Sequence, residues 1–418
     1  EGGINTFVFQ KGDGKDTLYS GRGEDTIKFA DIEDIKTGTI KNIKFSASGN
    51  NLIIHYGSED TVTIPGYLAN PSKSSVKYIQ FQENPPKLIT DLLNKYPFEF
   101  DGNLSKRNSI RGTNSKDIIT GGGLNDTINA LGGDDIIFAG DGADLVRGGN
   151  GDDLIYGEGG NDRLYGDNGN DTIYGGGGND IIYGGNGDDV IYGGAGDDKL
   201  YGDAGNNTFH FIKGDGNDII YSGRGADTLS FDDVNFSDLT YSLSKTNGLS
   251  VNYGNGGTVD ISGYFSKRGK VSTNKIATKD GEKTLDEIVN DKNFKVLING
   301  NENKRNTLRG TYKNDIITGG DLNDTILGND GDDIIFGRGG NDLIRGGNGD
   351  DTIEGGKGND RLYGEGGKNT FVFNKGDGAD IIYSGRGEDT IKFADIKEFD
   401  SKTMYFSAKG NNLIINYG

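Results

Sequence analysis

Aspartates recur at every ninth position in two stretches of this chain. The first stretch holds ten of them: Asp117, Asp126, Asp135, Asp144, Asp153, Asp162, Asp171, Asp180, Asp189 and Asp198. The second holds six: Asp315, Asp324, Asp333, Asp342, Asp351 and Asp360. Carboxylates at a fixed spacing suit hard divalent cations, because Ca²⁺ prefers carboxylate and carbonyl oxygens as ligands. The sequence therefore predicts calcium sites with these aspartates as metal ligands.

The residues around each aspartate predict the elements that position it. The frame is G-x-x-G-x-D-x-(Ile/Leu/Val)-x, as in GGNGDDLIY at 148–156. Glycines at positions 1 and 4 predict positive φ and a tight turn, and the residues after Asp predict a short strand with one inward apolar side chain. In the first stretch the expected inward residues are Ile119, Ile128, Ile137, Val146, Ile155, Leu164, Ile173, Ile182, Ile191 and Leu200.

Two nonapeptides are expected to form one coil, so that aspartates eighteen residues apart stack on one edge. One edge would then carry Asp135, Asp153, Asp171 and Asp189, and the other Asp126, Asp144, Asp162, Asp180 and Asp198. Stacked carboxylates about 4.8 Å apart repel one another unless cations lie between them. A disordered acidic linker is the alternative, and the run of in-phase aspartates argues against it.

Composition limits the classes of protein and partner. The chain has 418 residues, of which 74 are Gly, none is Cys and 32% are hydrophobic. This apolar content is low for a globule but suits a solenoid with a thin core. The net charge of −20 argues against nucleic acid or anionic membrane as a partner. Roughly ten to fourteen Ca²⁺ would add about +20 to +28 and balance that charge. No apolar run reaches the roughly eighteen residues of a transmembrane helix.

A longer repeat divides the chain into five predicted domains. Residues 1–32 return almost unchanged at 365–396 and more loosely at 203–234. The predicted fold is all-β, with two parallel β-roll (β-solenoid) blocks alternating with β-rich capping modules that contain a short helix. The predicted boundaries are a module at 1–101, a ten-repeat roll at 102–206, a module at 207–300, a six-repeat roll at 301–368 and a module at 369–418. Both ends fall inside repeats, so we expect a fragment of a larger protein.

Each complete module is predicted to hold one short amphipathic helix. In the first module the expected inward residues of that helix are Leu88, Ile89, Leu92 and Leu93. In the second, Thr284 followed three residues later by Glu287 predicts a capping box. The modules are expected to cover the open strand edges at the ends of each roll.

The nonapeptides resemble those of the RTX family, exoproteins that Gram-negative bacteria export through type I secretion systems. Flanking segments such as 25–68 resemble those that follow RTX repeats in haemolysins and related toxins. The resemblance implies that each Ca²⁺ lies between consecutive turns on one edge, held by the position-6 Asp and turn carbonyls. Position 4 is not Gly before Asp117, Asp126, Asp315 and Asp324, which makes these four less secure.

The modules continue the frame with changes. Asn replaces Asp at 207 and 369, where we expect a weakened site. In the pairs Asp16/Asp25, Asp218/Asp227 and Asp380/Asp389, binding and non-binding both stay open. Tyrosines at position 9, such as Tyr156 and Tyr174, are expected to form a ladder over the outer face, with a sugar or receptor platform as the alternative.

No catalytic motif is found in the sequence, and we expect any catalysis to lie outside this fragment. The functional hypothesis is a calcium-binding repeat region of a secreted bacterial cytotoxin, which folds on Ca²⁺ binding outside the cell. Its expected partners are calcium, the type I secretion machinery and a host-cell receptor or glycan, and its location is extracellular or on the bacterial surface. The alternatives are a repeat region of an RTX adhesin or surface-layer protein and the tail of a secreted hydrolase.

Overall fold

The computed structural model describes residues 3–19, 21–32, 43–57, 59–82, 84–221, 223–266, 271–383, 385–396, 404–409 and 412–417. The chain divides into two compact units. The first comprises residues 1–236, 254–258 and 272–282, and the second comprises 237–253, 259–271 and 283–418. No helix in the described ranges is long and apolar enough to span a membrane.

The first roll lies in the first unit and contains eleven short strands. They are β10 (Ser109–Arg111), β11 (Asp117–Gly122), β12 (Thr127–Gly132), β13 (Ile136–Asp141), β14 (Leu145–Asn150), β15 (Leu154–Gly159), β16 (Arg163–Asn168), β17 (Thr172–Gly177), β18 (Ile181–Asn186), β19 (Val190–Ala195) and β20 (Lys199–Ala204). Even-numbered strands form one parallel sheet and odd-numbered strands the opposite one. Successive strands therefore alternate between two faces.

The register confirms that two nonapeptides make one coil. Ile155 on β15 pairs with Ile173 on β17, and Leu164 on β16 pairs with Ile182 on β18, in each case eighteen residues apart. All ten side chains predicted to point inward are buried, with at most 1% exposure. Because successive side chains of a strand point to opposite faces, one apolar position per repeat faces inward, and its stacking builds a continuous but thin core.

The second roll lies in the second unit and repeats this arrangement with fewer turns. Its strands are β30 (Thr307–Arg309), β31 (Asp315–Thr318), β32 (Thr325–Asp330), β33 (Ile334–Phe336), β34 (Leu343–Asn348), β35 (Thr352–Glu354) and β36 (Arg361–Glu365). Ile317, Ile326, Ile335, Ile344, Ile353 and Leu362 form its buried core. The prediction of an all-β fold built on parallel β-rolls is confirmed.

The first module packs at the start of the first roll around a richer apolar core. Its elements are β1 (Thr6–Phe9), β2 (Lys15–Thr17), β3 (Asp25–Phe29), β4 (Lys44–Ser48), β5 (Asn51–His55), β6 (Thr61–Ile64), β7 (Val76–Phe81), β8 (Lys87–Leu88), α1 (Ile89–Lys95) and β9 (Phe98–Asp101). Strands β9 and β11 pair in parallel, which joins the module to the roll. The predicted helix exists and buries Ile89, Leu92 and Leu93.

One residue of that helix was predicted wrongly. Leu88 precedes the first turn of α1 with an extended backbone, and its side chain is 39% exposed. An apolar periodicity does not fix where a helix begins, so the residue beside the boundary was assigned to the wrong face.

The second module contributes elements to both units. They are β21 (Thr208–Phe211), β22 (Asn217–Tyr221), β23 (Asp227–Phe231), β24 (Thr240–Leu243), β25 (Leu249–Gly254), β26 (Gly257–Ile261), β27 (Thr273–Thr278), β28 (Gly281–Thr284), α2 (Leu285–Val289) and β29 (Val296–Asn299). The capping box that begins α2 is confirmed, because Thr284 accepts from the Glu287 amide while the Glu287 carboxylate accepts from the Thr284 amide.

The third module adds a parallel layer and a hairpin. Its strands are β37 (Thr370–Phe373), β38 (Ile381–Tyr383), β39 (Thr390–Phe393), β40 (Met404–Lys409) and β41 (Asn412–Tyr417). Strands β37 and β39 continue the parallel pairing of β35, and β40 pairs with β41 in antiparallel fashion. The five domain boundaries given above stay predictions, since these pairings run without a break from roll to module.

Candidate metal centre

The position-6 aspartates form two hydrogen-bonded rows along the edges of the first roll. On one edge, the Asp135 amide donates to Asp153 Oδ1 at 2.8 Å, and the Asp153 amide donates to Asp171 Oδ1 at 2.8 Å. On the other edge, the Asp144 amide donates to Asp162 Oδ1 at 2.8 Å. Each carboxylate thus ties two successive coils together through one of its two oxygens.

The second oxygen of the interior carboxylates is buried and, within the described residues, accepts no hydrogen bond. In the first roll this group comprises Oδ2 of Asp126, Asp135, Asp144, Asp153, Asp162, Asp171, Asp180, Asp189 and Asp198. In the second roll it comprises Oδ2 of Asp333, Asp342, Asp351 and Asp360. A buried anionic oxygen without a donor is costly, and cations remove that cost.

Glycine at position 1 keeps space open beside each of these oxygens. A methyl group on Gly148 would overlap Asp153 Oδ2 and approach the carbonyl oxygen of Gly166. A methyl group on Gly166 would likewise overlap Asp171 Oδ2 and the carbonyl oxygen of Gly184. Beside each position-1 glycine, a carboxylate oxygen and a main-chain carbonyl oxygen of the next coil therefore face the same small space.

The two predicted glycine roles are only partly right. Gly151, at position 4, has a φ of +128° and occupies the turn that the sequence predicts. Gly148, at position 1, does not have positive φ, and its hydrogen side chain is required by the adjacent carboxylate instead. Positive φ falls on position 2, where Gly149 has a φ of +119° and would otherwise collide with the Leu131 carbonyl. Steric room beside a metal ligand cannot be distinguished from backbone freedom by sequence pattern alone.

Burial raises the pKa of these carboxylates. Burial raises the pKa of Asp135 to about 8 and that of Asp153 to about 7, and a hydrogen bond from the preceding coil opposes the rise in each case. Burial also raises the pKa of Asp162 and Asp189 to about 7 and that of Asp333 to about 8. The cause is loss of hydration without a compensating positive charge, so a bound cation would favour the ionised form.

Protein donors satisfy the first carboxylates of three of the four rows, at Asp117, Asp315 and Asp324, whereas Asp126 leaves Oδ2 without a donor from the described residues. Both oxygens of Asp117 accept from Thr113, through its amide at 2.7 Å and its hydroxyl at 2.9 Å. Asp315 has the same pairing with Thr311. Asp324 accepts from the Gly320 amide at 2.6 Å and from Asn306. Their role as metal ligands stays a prediction, as it does for every position-6 aspartate.

The donor set fits calcium better than metals that require side-chain clusters. Among the residues with described positions, no three His, Cys, Asp or Glu side chains converge as a metal site. Ligands beyond the carboxylates would therefore be main-chain carbonyl oxygens such as that of Gly166. Ca²⁺ accepts six to eight oxygen ligands in flexible geometry, whereas Zn²⁺ prefers four nitrogen or sulfur ligands. The residues present fit Ca²⁺.

A second ladder at position 5 was missed in the sequence. Asp152 Oδ1 accepts the Asn170 amide at 2.8 Å, and Asn170 Oδ1 accepts the Asp188 amide at 2.8 Å. These bonds run from one coil to the next in the direction opposite to the position-6 bonds. The signal was available, since position 5 is Asp or Asn in nearly every repeat from 125 to 206.

The outer faces carry aromatic ladders. Tyr156, Tyr174 and Tyr192 stack with ring centroids 4.9 and 4.5 Å apart, and His210 extends the row at 4.5 Å. Because the ring faces cover one another, only edges and hydroxyl groups remain for other contacts. A sugar stacks on the face of an aromatic ring, so this geometry favours the structural interpretation.

His210 also contacts a carboxylate. Its Nδ1 lies 2.9 Å from Asp232 Oδ2, and Ser230 Oγ donates to Asp232 Oδ1 at 2.6 Å. The serine therefore bonds to the carboxylate and not to the imidazole, which differs from a nucleophile activated by histidine.

Sequence comparison agrees with the geometry of the rolls. The model of the RTX calcium-binding nonapeptide repeat matches residues 12–27, 111–146, 138–173, 147–182, 174–209, 214–233, 303–335, 318–353, 345–377 and 376–391, together more than half of the chain. The chain belongs to the RTX calcium-binding repeat family. Calcium binding by this chain follows from its membership, and the RTX matches extend into all three modules.

Among solved structures, the chain is similar to the crystal structure of the extracellular lipase LipA from Serratia marcescens. The sequence identity is 20% and the TM-score is 0.18, over 60% of this chain and 36% of the lipase chain. The RTX chain thus spans little more than a third of the lipase it matches. A search of curated protein sequences gives no match.

Proposed function

We propose that this RTX chain is a region that folds when it meets calcium outside the cell, with the position-6 aspartates of both rolls as its metal ligands. The observation that carries this proposal is the double row of buried Oδ2 atoms, which accept no hydrogen bond from the described residues. A folded roll without cations would hold these anionic oxygens buried beside main-chain carbonyl oxygens, with no hydrogen-bond donor from the described residues. Calcium therefore stabilises the folded roll and not the unfolded chain.

The magnitude of this effect is large enough to act as a switch. If each site binds with a Kd of roughly 10⁻⁴ M, as extracellular calcium modules do, one site contributes about 1.4 kcal/mol at about 1 mM Ca²⁺. A dozen sites, within the range of roughly ten to fourteen ions, contribute on the order of 15 kcal/mol. At submicromolar calcium the contribution is close to zero, so the same chain would be unfolded inside a cell.

This switch suits export through a narrow channel, which requires an unfolded chain. The proposed partners are accordingly calcium and a type I secretion machinery, and the proposed location is outside the cell or on its surface. For the activity of the whole protein we propose a secreted cytotoxin, and the support is the alternation of rolls with modules. The exposed edges and faces of the rolls are where a host-cell receptor or glycan would bind.

Calcium titration tests the proposal. Far-UV circular dichroism of the chain should change from a disordered spectrum in EGTA to a β-rich spectrum at millimolar Ca²⁺. Magnesium at the same concentration is the matched control, because Mg²⁺ demands near-octahedral geometry and retains its waters. A spectrum that is β-rich in EGTA and unchanged by calcium would refute calcium-driven folding.

A further inference from the structure

The row of carboxylates on one edge is interrupted by asparagine where the first roll enters the second module. Asn207 is 1% exposed and occupies the position that Asp189 and Asp171 occupy in earlier coils. Its Oδ1 accepts the Asp189 amide at 2.9 Å, as an aspartate would. Its Nδ2 takes the place of the second carboxylate oxygen and donates to Asp227 Oδ1 at 3.1 Å.

The orientation of this amide is fixed by both of its neighbours. The Asp189 amide needs an acceptor, and Asp227 Oδ1 would repel a second oxygen, so only one orientation of the Asn207 side chain suits both neighbours. In that orientation Nδ2 faces the space over Gly202, which corresponds to the space over Gly184 that Asp189 Oδ2 faces. An N–H group carries partial positive charge, and it repels a cation at this place.

The next carboxylate is satisfied without a cation. Asp227 Oδ1 accepts the Asn207 amide at 3.0 Å in addition to the side-chain N–H, and the Ser272 hydroxyl also bonds to the carboxylate. The first module has the same clamp. There Asp25 Oδ1 accepts the backbone N–H of Asn5 at 3.0 Å and its side-chain N–H at 2.8 Å, and Ser75 bonds to Asp25.

The opposite edge has no such interruption. Its row continues from Asp198 to Asp218, whose Oδ1 accepts the Asp198 amide at 3.0 Å. Asp218 Oδ2 is buried and, within the described part of the chain, accepts no hydrogen bond, as in the rolls. The two edges therefore differ at the same coil.

We propose that the clamp formed by Asn207, Asp227 and Ser272 ends the calcium row on its edge, with protein donors in place of the ion. This proposal rests on the proposed calcium sites of the rolls. It states where each row of calcium sites stops: the row that contains Asp189 ends at Asn207, while the row that contains Asp198 continues to Asp218. For the pair Asp218/Asp227 it also selects between the two outcomes left open, with binding at Asp218 and not at Asp227.

Native mass spectrometry of the full chain in millimolar Ca²⁺ tests this by counting bound ions. Asn207→Asp restores an oxygen over Gly202 and should bind one more Ca²⁺ than the wild type. Asn206→Asp is the matched control, because it adds the same charge one residue away at an exposed position-5 site, and its ion count should equal that of the wild type. Equal counts for Asn207→Asp and the wild type, or a gain for both variants, would overturn the proposal.

The reverse substitution keeps the test valid if Asn207→Asp fails to fold. Asp189→Asn places an amide N–H over Gly184 within the row and should lose at least one ion. An unchanged count for Asp189→Asn would contradict the rule that an amide ends the row. If the wild type itself binds no calcium, the proposed function fails together with the clamp, whereas a calcium-bound wild type with unresponsive variants refutes the clamp alone.

Discussion

The interior and the ends of the carboxylate rows are built from the same residue type but are satisfied in different ways. Asp153, in the interior, leaves Oδ2 buried without a donor from the described residues. Asp117, at the start of the same row, receives two hydrogen bonds from Thr113. The interior carboxylate therefore keeps an oxygen that a cation could satisfy, whereas protein donors already satisfy both oxygens of Asp117. This difference teaches that the repeat supplies the calcium dependence, while the sequences around it determine where that dependence stops.

The largest expected effect comes from removing the third module, which follows the second roll. Asp351 donates its amide to Asn369 Oδ1 at 3.1 Å, and Asp360 donates its amide to Asp380 Oδ1 at 2.9 Å. Deletion of residues 369–418 removes both acceptors and exposes the last strands of the second roll. We expect calcium-induced folding of the block 315–360 to slow severely or to be lost, because a solenoid propagates from an ordered end. Stopped-flow circular dichroism of the truncated chain measures this, and folding at the wild-type rate would mean that the module serves recognition instead of capping.

Substitution within the row should have the next largest effect. Asp153→Ala and Asp171→Ala each remove an interior carboxylate whose Oδ2 has no donor from the described residues. The calcium concentration at the folding midpoint should therefore rise several-fold. Asp117→Ala removes a carboxylate that Thr113 already satisfies, and its midpoint should move much less. Calcium titrations of the three variants compare them directly. Equal shifts at all three positions would contradict the distinction between interior and end.

Calcium binding along the rows should also respond to pH. The folded, calcium-free roll has carboxylates whose pKa is raised from 3.8 to about 7 or 8 by burial, as at Asp153 and Asp135. The folded state then binds more protons than the unfolded state, so its calcium-free stability is greatest below about pH 4 and is lost as the pH rises through 7 to 8. Calcium competes with these protons. For a carboxylate with a pKa of about 7, the apparent calcium affinity should therefore be about tenfold lower at pH 6 than at pH 8. Calcium titrations at pH 6 and pH 8 provide the measurement, and identical midpoints would show that these carboxylates are not the ligands.

The smallest expected effect concerns the position-5 ladder, which needs no ion. Asn170→Ala leaves the Asp188 amide without its side-chain acceptor and should lower the free energy of unfolding by about 1 kcal/mol in saturating calcium. The number of bound ions should stay the same. Lys199→Ala, on the exposed outer face, is a control expected to change stability by less than about 0.5 kcal/mol. Denaturant unfolding in millimolar calcium separates the two, and a loss of bound ions in Asn170→Ala would mean that position 5 contributes to the metal site.

Much of the fold could be predicted because the repeat is strictly periodic. An apolar residue such as Ile155 or Leu164 at every ninth position, together with glycines before the aspartate, left one arrangement in which all inward side chains stack. The register at eighteen residues followed from the same period. The structure of the modules was harder to predict, since their strands depend on contacts between segments far apart in sequence. Leu88, beside α1, was predicted to be in the core but is exposed.

The sequence by itself determined the ligand type, the period of the rows and the residues of the thin core. Only the tertiary structure decided which carboxylates keep a buried oxygen without a protein donor. Asp227 and Asp153 occupy the same position of the repeat, yet Asn207 and Ser272 bond to the first and no described residue donates to Oδ2 of the second. The physical reason is that the need for a cation depends on the donors that neighbouring coils bring to a buried oxygen. Those donors come from other coils, and residue type and spacing do not specify them.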